Sequence, residues 1–393
     1  MAVRPQCPHS TGSGAGGGVE DPPGPAAASP REGFPAEGPS RHGRGGTGTA
    51  GGSIDSGLIM ASALACRAMP SEPLGPAPGI GVGTWAWGNQ FLWRYDPARD
   101  DQLEAAFQRA VGRGLTFFDT ADSYGTGRFG GRSEALLGRF CASLPVAQRE
   151  RLTVATKLAP FPWRLGRSGF DRALAGSRQR LQGKLDRVQL HWSTARYAPW
   201  QEGPLVDGLA DRVQRGDVRE LGVSNLGPRR LVALHRRLAE RGVPLTSLQV
   251  QLSLLAPEAL LPGGVVAVCR DLGIEVIAYS PLALGLLARS PGRLDPPAGP
   301  RGLVFRRLWP GVQPLLEALD RIARAHGATP AAVALNWCRA HRLLPIVGLR
   351  TVEQAEAAAA ALPWELSEHE RADLDRLAFA SRARMPANPF QSA

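Results

Sequence analysis

The sequence predicts an α/β fold in which eight parallel strands close into a (β/α)8, or TIM, barrel. From residue 79 onward, short runs rich in Val, Ile, Leu and Phe alternate with longer amphipathic stretches at helical spacing, which is typical of βαβ units. Eight such runs fit a closed barrel of about 250 or more residues better than an open, doubly wound sheet. The first run continues as GVGTW at 81–85 and lacks the Gly-x-Gly-x-x-Gly fingerprint, which argues against a Rossmann domain.

Each predicted strand is a mainly apolar run of five or six residues. The runs are 79–83, 115–119, 152–156, 187–191, 219–223, 247–251, 274–279 and 344–348. Helices are expected at 100–112, 133–143, 169–182, 204–215, 228–241, 264–272 and 313–326, and after the last strand at 352–361 and 367–379. The stretch 283–312 contains several Pro and Gly, so we expect a large loop over the barrel mouth.

Residues 1–72 differ in composition from the rest of the chain. They are rich in Gly, Ala, Pro and Ser, and Phe34 is their only aromatic residue. Such a segment lacks the apolar surface to join a core, so we predict a disordered extension at 1–72 and a barrel domain at 73–393. From Met60 onward, MASALACRAMPS resembles the start of a plastid or mitochondrial presequence, which makes Met60 an alternative start to Met1. This interpretation predicts a chloroplast location, whereas an ordinary tail would leave the protein in the cytoplasm.

The formal net charge of +11 comes almost entirely from arginine, because the only lysines are Lys157 and Lys184. Arginine in place of lysine indicates a compositional bias, and no basic cluster alternates with aromatic residues, so we predict no nucleic-acid partner. The five cysteines, at 7, 66, 141, 269 and 338, are widely spaced without a Cys-x-x-Cys pair, which predicts neither a disulfide framework nor a metal site. No apolar run approaches the roughly 18 residues of a membrane span, so no membrane partner is expected.

Polar side chains end three consecutive predicted strands. Asp119 ends the second strand, Lys157 follows the third and His191 ends the fourth, while Tyr124 lies on the loop that leaves the second. Because the active site of an α/β barrel lies at the carboxyl ends of its strands, we expect these four side chains to converge.

This set of side chains suits the reduction of a carbonyl group by hydride. The reaction needs an acid, and a Tyr hydroxyl with a pKa of about 10 needs a nearby cation to serve as one. Lys157 would supply that cation, Asp119 would pair with it, and His191 would bond the carbonyl oxygen, with no metal required. Taken singly, each residue also has a structural interpretation as a surface, capping or core group. Lys157 is the most informative, because the chain uses arginine almost everywhere else.

Four motifs resemble those of the aldo-keto reductase family, and the resemblance runs from about residue 79 to the C-terminus. They are DTADSYGTG at 119–127, VATK at 154–157, QLHW at 189–192 and LGVSN at 221–225. The resemblance implies an enzyme that uses NADPH, with Asp119, Tyr124, Lys157 and His191 as its catalytic residues.

The same resemblance implies a site for NADPH or NADP⁺. It places Ser224, Asn225 and Gln249 on the nicotinamide carboxamide and stacks Tyr279 on the nicotinamide ring. The pyrophosphate would lie along 280–282, and the loop 348–354 would hold the adenosine 2′-phosphate. The full set of expected contacts is Gly83, Thr84, Trp85, Ser224, Asn225, Gln249, Tyr279, Ser280, Pro281, Leu282, Gly348, Leu349, Arg350, Thr351 and Gln354. The sequence departs from the family at Ala357 and Ala358, where Glu-Asn often faces the adenine.

Within the family, segments outside the shared core resemble the plastid pyridoxal reductases of plants. These segments include VGTWAWGNQFLW at 82–93, PWRL at 162–165 and GPRGLVFR at 299–306. The resemblance implies the reduction of pyridoxal to pyridoxine, a step of vitamin B6 metabolism. Trp87, Trp93 and Trp192 are expected substrate contacts, because an indole ring can stack on a pyridine ring.

Other functions remain open at this point. A plastid aldehyde reductase of broad specificity would need the same four catalytic side chains. A regulatory subunit that binds NADPH without rapid turnover, similar to the potassium-channel β-subunits of this family, could also retain them. The tryptophans could equally serve to pack the barrel mouth.

Overall fold

The computed structural model describes residues 78–392, and within them eight parallel strands form one closed barrel. The strands are β1 (Gly81–Gly83), β2 (Phe117–Asp119), β3 (Thr153–Leu158), β4 (Arg187–Leu190), β5 (Glu220–Ser224), β6 (Leu245–Gln251), β7 (Glu275–Tyr279) and β8 (Leu344–Gly348). Each strand pairs with the next one along the chain, and β8 pairs with β1. The predicted fold is therefore confirmed. The predictions for residues 1–72, including the start at Met60, lie outside the described residues.

Twelve α-helices surround the barrel in the described part of the chain. They are α1 (Gln90–Trp93), α2 (Asp100–Gly112), α3 (Arg132–Ala142), α4 (Val146–Glu150), α5 (Asp171–Arg180), α6 (Pro199–Gln214), α7 (Pro228–Ala239), α8 (Val265–Asp271), α9 (Pro300–Ala325), α10 (Pro330–Ala340), α11 (Val352–Ala359) and α12 (Glu368–Ala380). All nine predicted helices are among them. Helix α6 begins five residues before the expected start, because Pro199 rather than Pro204 is its first residue.

The prediction of a large loop at 283–312 is wrong for its second half. Residues 300–312 form the first half of α9, although this helix contains Pro310 and Pro314. A proline inside a helix removes a hydrogen bond and usually ends the helix. Here the apolar face that includes Phe305, Leu308 and Val312 is buried against the core, so tertiary packing outweighs the local cost. An irregular segment remains at 289–299, after a short 3₁₀ turn at Ala283–Ala288.

Helix α10 is absent from the predicted helices. Eight of its eleven residues are buried, so most of its surface packs against the protein and little of it forms a solvent-exposed polar face. Its start does carry a local signal, since Thr329 Oγ1 accepts a hydrogen bond from the Ala332 backbone N–H (3.2 Å) and Pro330 is the first helical residue. The helix packs against α9 and β8.

The two ends of the barrel differ in chemistry. At the amino ends of the strands, the Arg187 guanidinium donates to Glu220 and Glu275 over 2.6 Å each and lies above the Phe117 ring. Apolar side chains fill the interior above this ion pair: Phe117, Ala155, Ile277, Leu344 and Ile346. The opposite end is therefore the one left open for a ligand.

Cys141, Cys269 and Cys338 are buried thiols that form no disulfide in the described part of the chain. No cluster of three or more His, Cys, Asp or Glu side chains suited to a metal ion occurs among residues 78–392. The described helices include none with the length and apolar character of a membrane span.

Candidate active site

A cavity of about 980 Å³ opens at the carboxyl ends of the strands, and all four predicted catalytic side chains line it. Asp119 ends β2, Lys157 is the last but one residue of β3, His191 directly follows β4, and Tyr124 lies on the loop after β2. Strands β2, β3 and β4 are hydrogen-bonded neighbours. The closure of the barrel thus brings together the residues that the strand-end pattern singled out.

The Lys157 ammonium group uses all three of its protons inside the protein. Nζ donates to the Asp119 carboxylate, to the Thr120 carbonyl oxygen (2.9 Å) and to the Tyr124 hydroxyl oxygen (3.1 Å). Burial lowers the pKa of Lys157, but the adjacent Asp119 and Tyr124 outweigh burial and raise this pKa above its ordinary value. Lys157 therefore stays charged although its side chain is only 1% exposed.

Two glutamines hold the other oxygen of the Asp119 carboxylate. Gln189 Nε2 donates to Asp119 Oδ2 over 3.0 Å, and Gln249 Nε2 donates to the same oxygen over 2.8 Å. Gln189 was not predicted, although it lies two residues before His191 and so points to the same face of the barrel wall. A polar residue in phase with a predicted catalytic residue was the signal that could have identified it.

Tyr124 remains a neutral phenol in this environment. Burial raises its pKa, and the Lys157 charge opposes that effect without reversing it. Because Lys157 donates to the Tyr124 oxygen, the phenolic proton stays available to an acceptor in the cavity. The chain turns sharply just after this residue: Gly125 has φ +114°, and a Cβ at that position would lie 1.8 Å from the Phe129 carbonyl oxygen.

The His191 ring is half-buried beside Tyr124, with the two ring centres 5.7 Å apart. Burial, followed by the charge of Lys157, lowers the pKa of His191 well below its ordinary value. The imidazole is therefore neutral near pH 7. Its Nδ1 atom lies 3.2 Å from the Ser123 hydroxyl, and its backbone oxygen accepts a hydrogen bond from Asn225 (3.0 Å).

A cluster of arginines occupies another part of the cavity wall. Arg289, Arg301 and Arg350 line it, and the guanidinium groups of Arg301 and Arg350 lie 4.0 and 5.2 Å from the Trp93 ring. Burial, together with the charges of Arg350 and Arg289, lowers the pKa of Arg301 to about 10. Neither Arg301 nor Arg350 has an ion-pair partner among residues 78–392. Two buried donors, Arg301 Nε and Trp93 Nε1, also have no hydrogen-bond partner there. This donor set fits an anion such as phosphate.

Comparison with known proteins identifies the family. The sequence model of the Aldo/keto reductase family matches residues 79–378. The chain belongs to this family. A chloroplastic pyridoxal reductase of Arabidopsis thaliana is 47% identical over 325 residues, which cover 81% of this chain and 88% of the relative. A 6-dehydroglucose reductase of Novosphingobium aromaticivorans is 32% identical over 309 residues, which cover 74% of this chain and 92% of the relative.

Solved structures of aldo-keto reductases resemble this fold. A crystal structure of an aldo-keto reductase from Klebsiella pneumoniae in complex with NADPH matches with a TM-score of 0.59 at 28% identity, and the match covers 80% of this chain and 94% of that one. The predicted family is confirmed, and with it the assignment of the chain as an oxidoreductase.

Most residues expected to contact the cofactor of this aldo-keto reductase lie in the wall of the cavity. They are Gly83, Trp85, Ser224, Asn225, Gln249, Tyr279, Ser280, Pro281, Leu282, Gly348, Leu349, Arg350 and Gln354. Thr84 and Thr351 do not line the cavity. The buried Thr84 hydroxyl bonds to the Asp119 carbonyl oxygen (3.0 Å) and thereby joins β1 to β2. Thr351 caps α11 by accepting a hydrogen bond from the Gln354 N–H (3.3 Å).

The structure contradicts one of the three expected substrate contacts. Trp93 and Trp192 line the cavity, whereas Trp87 is fully buried outside it. The Trp87 Nε1–H donates to the Leu349 carbonyl oxygen (2.8 Å), and its ring meets the Phe140 ring edge-on. The local sequence GTWAW does not show whether the Trp87 indole faces the cavity or the surrounding helices.

The C-terminal residues of this aldo-keto reductase were not predicted to lie at the site. Residues 385–390 form part of the cavity wall, and Phe390 stacks on Trp192 with ring centres 4.5 Å apart. Nothing in the local sequence indicated this position, because the segment has no periodic pattern and lies about 200 residues from Trp192 in the sequence.

Proposed function

We propose that this protein reduces the aldehyde of pyridoxal to the alcohol of pyridoxine, with NADPH as the reductant. The observation that carries the reductase assignment is the contact between the Lys157 ammonium and the Tyr124 hydroxyl, beside a neutral His191, at the wall of a large cavity. The choice of pyridoxal rests on the 47% identity to the Arabidopsis pyridoxal reductase.

The residues of the cavity fit the cofactor. NADPH, when bound, supplies the hydride that the carbonyl carbon gains. Arg350 and Arg301 would hold its 2′-phosphate, since their guanidinium groups lie on the same indole ring and lack carboxylate partners in residues 78–392. Ser224, Asn225 and Gln249 would hold the nicotinamide end beside Tyr279. Family membership and the Klebsiella complex with NADPH support this arrangement.

Tyr124 is the proton donor in this proposal. Its O–H bond breaks as the carbonyl oxygen gains the proton, and the negative charge passes to the phenolate. The Lys157 ammonium, 3.1 Å away, stabilises that charge without moving a proton of its own. Asp119 and its two glutamine partners keep the ammonium charged and in place.

His191 acts on the same carbonyl oxygen as a hydrogen-bond donor. A neutral imidazole carries one N–H, and its position depends on the partner of the other nitrogen. The Ser123 hydroxyl lies 3.2 Å from Nδ1, and the proposal requires the tautomer in which this hydroxyl donates to Nδ1 and the proton is on Nε2. Both His191 and Tyr124 can then donate a hydrogen bond to the carbonyl oxygen of the substrate, on which negative charge develops.

The walls of the cavity suit a flat aromatic substrate. Trp85, Trp192 and Phe390 line it, and an aromatic ring that stacks on such side chains gains about 0.5 to 1.5 kcal/mol beyond its buried area. Pyridoxal should therefore react with a higher kcat/KM than an aliphatic aldehyde of equal reactivity.

One experiment tests the function. The purified protein is given pyridoxal, pyridoxal 5′-phosphate and an aliphatic aldehyde, each with NADPH and with NADH, and cofactor oxidation is followed by absorbance. We expect pyridoxal with NADPH to give the highest kcat/KM. Equal rates with all aldehydes would favour a broad aldehyde reductase, and cofactor binding without turnover would favour a regulatory subunit.

We also propose a chloroplast location. It is supported by the presequence-like segment that begins at Met60 and by the similarity to the chloroplastic pyridoxal reductase of Arabidopsis. A fluorescent protein fused to residues 60–78 should enter isolated chloroplasts, while a fusion that begins at residue 73 should stay outside. Exclusion of both fusions would contradict the proposal.

A further inference from the structure

The C-terminal segment, residues 385–392, is held against the cavity by hydrogen bonds to the barrel. Arg196 donates to the Pro389 carbonyl oxygen (2.7 Å) and to the Gln391 carbonyl oxygen (3.0 Å). The Ser392 N–H donates to the Asn225 carbonyl oxygen (3.0 Å). These contacts fix the backbone beside Asn388, whose side chain lines the cavity.

The side-chain amide of Asn225 has no hydrogen-bonding capacity left. Its Nδ2 donates to the His191 carbonyl oxygen (3.0 Å) and to Ser224 Oγ (3.1 Å). Its Oδ1 accepts from the Tyr279 hydroxyl (3.0 Å) and from Asn388 Nδ2 (2.9 Å). A primary amide offers two donors and two acceptor positions, so all four are used.

Asn388 completes a closed triangle at this point. Its Nδ2 lies 2.9 Å from Asn225 Oδ1 and 2.6 Å from the Tyr279 hydroxyl oxygen. Burial raises the pKa of Tyr279, so its hydroxyl keeps the proton that it donates to Asn225. The amide nitrogen of Asn388 therefore contacts two of the side chains that the proposed function places around the nicotinamide, Asn225 and Tyr279.

The chemistry of Asn388 matches that of the nicotinamide. Both carry a primary carboxamide, and the NH₂ group of either one can donate to Asn225 Oδ1. That oxygen cannot accept a further hydrogen bond while Asn388 and Tyr279 occupy its two acceptor positions. A second amide can be accommodated at Asn225 only when one of the present bonds breaks.

We propose that the Asn388 side chain takes the hydrogen-bonding position of the cofactor carboxamide, so that the C-terminal segment competes with the nicotinamide end of NADPH for Asn225. This inference rests on the proposed function, because that function assigns Asn225 and Tyr279 to the nicotinamide. Asn388 is then a residue that determines cofactor affinity. Its bonds to Asn225 and Tyr279 break when the cofactor binds, and they form again when the cofactor leaves.

The test compares two ligands on the full chain by titration calorimetry. NADPH carries the nicotinamide, whereas adenosine 2′,5′-bisphosphate carries the 2′-phosphate without it. Asn388→Ala should lower the Kd of NADPH by about 3- to 10-fold, the effect of removing one or two competing neutral hydrogen bonds. The Kd of the bisphosphate should stay within about 2-fold, because that probe does not reach Asn225.

Two further variants complete the design. Gln391→Ala truncates a side chain of the same segment that contacts neither Asn225 nor Tyr279, so it should change neither Kd. A chain that ends at Ala387 removes the competing amide altogether and should bind NADPH more tightly, as Asn388→Ala does. This second route keeps the test decisive if Asn388→Ala folds poorly.

The outcomes separate this inference from the proposed function. Unchanged or weaker NADPH binding in Asn388→Ala and in the shortened chain, with bisphosphate binding retained, overturns the competition. Failure of the unaltered protein to bind either ligand would instead overturn the proposed function.

Discussion

At position 157 the chain has a lysine, although all but two of its 46 basic residues are arginines. The geometry of the site explains this choice. The three protons of one nitrogen reach the Asp119 carboxylate, the Thr120 carbonyl oxygen and the Tyr124 hydroxyl, which lie in different directions. A planar guanidinium is longer and points its donors in one plane, so it cannot make the same three contacts.

Tyr124→Phe should reduce kcat by about 100-fold or more, because the variant loses the proton donor and retains the shape of the ring. The affinity for NADPH should remain nearly unchanged. Steady-state turnover and cofactor titration measure the two effects separately. Tyr95→Phe is the matched control, since the Tyr95 hydroxyl bonds to Asp100 outside the cavity (2.7 Å) and its loss should spare turnover. A Tyr124→Phe rate within a few-fold of the unaltered protein would transfer the acid role to another group.

The lowered pKa of His191 predicts how activity depends on pH. A group whose pKa is depressed in the folded state stays neutral below its ordinary pKa of about 6.5. The hydrogen bond that His191 donates should therefore persist as the pH falls through that value. We expect kcat/KM for an aldehyde to show no loss centred near pH 6.5. A descending limb at that pH in the unaltered protein, absent from His191→Gln, would contradict the prediction.

The same depressed pKa predicts a loss of stability in acid. Below about pH 6.5 the unfolded chain binds a proton at His191 that the folded protein rejects, so the free energy of unfolding falls as the pH decreases toward the folded pKa. His191→Gln removes this contribution. Its melting temperature should therefore decline less than that of the unaltered protein between about pH 7 and pH 5. Parallel declines would show that other groups dominate the acid response.

Helix α9 brings an arginine into the cavity wall from a segment predicted as a loop. The sequence predicted a loop at 283–312, yet α9 begins at Pro300 and its second residue, Arg301, lies over the Trp93 ring. The helix is anchored by a buried apolar face that includes Phe305 and Leu308. A rigid helix start therefore positions this arginine, which a mobile loop would not do as precisely.

Arg301→Ala should weaken NADPH binding by about 10- to 100-fold, the loss expected for one charge-assisted contact to phosphate. NADH, which lacks the 2′-phosphate, should bind almost as before. Arg350→Ala should show the same selectivity. Arg306→Ala on the exposed side of α9 provides the control and should change neither affinity. If both cofactors weakened equally in Arg301→Ala, the side chain would serve the pyrophosphate or the fold rather than the 2′-phosphate.

At the scale of the molecule, the barrel closes without residues 1–72. Strand β1 pairs with both β2 and β8, and the Pro78 carbonyl oxygen accepts a hydrogen bond from Arg339 (2.8 Å) near the start of the described chain. The fold therefore has its complete hydrogen-bonded ring of strands from β1 onward.

Deletion of residues 1–72 should leave the melting temperature and turnover unchanged, because that segment is poor in apolar residues. Thermal melting and aldehyde turnover of the shortened and full chains provide the measurement. Deletion through Trp85 is the contrast, since it removes β1 and should prevent folding. A melting temperature lowered by more than about 5 °C in the first variant would mean that the segment contributes more than about 1 kcal/mol to the barrel.

Local patterns in the sequence determined the eight strands and the catalytic cluster. Every strand end agrees with its prediction within two residues, because each run buries apolar side chains at a regular spacing. Asp119, Lys157 and His191 can be grouped from the amino-acid sequence alone, since parallel strands end at the same rim of a barrel. Family motifs added Asn225, Tyr279 and Arg350, all of which lie in the cavity wall.

The segments that complete the cavity come together only through long-range packing. Trp87 and Trp93 lie six residues apart with the same local signals, yet one packs under Leu349 and the other faces the arginines. Asn388 reaches Asn225 from 163 residues away in the sequence. Such contacts depend on how all the helices pack around the barrel. A short stretch of sequence therefore does not show which distant residues will be in contact. Local patterns in the sequence therefore predict the fold and the proposed catalytic residues, whereas long-range packing sets which side chains form the walls of the cavity.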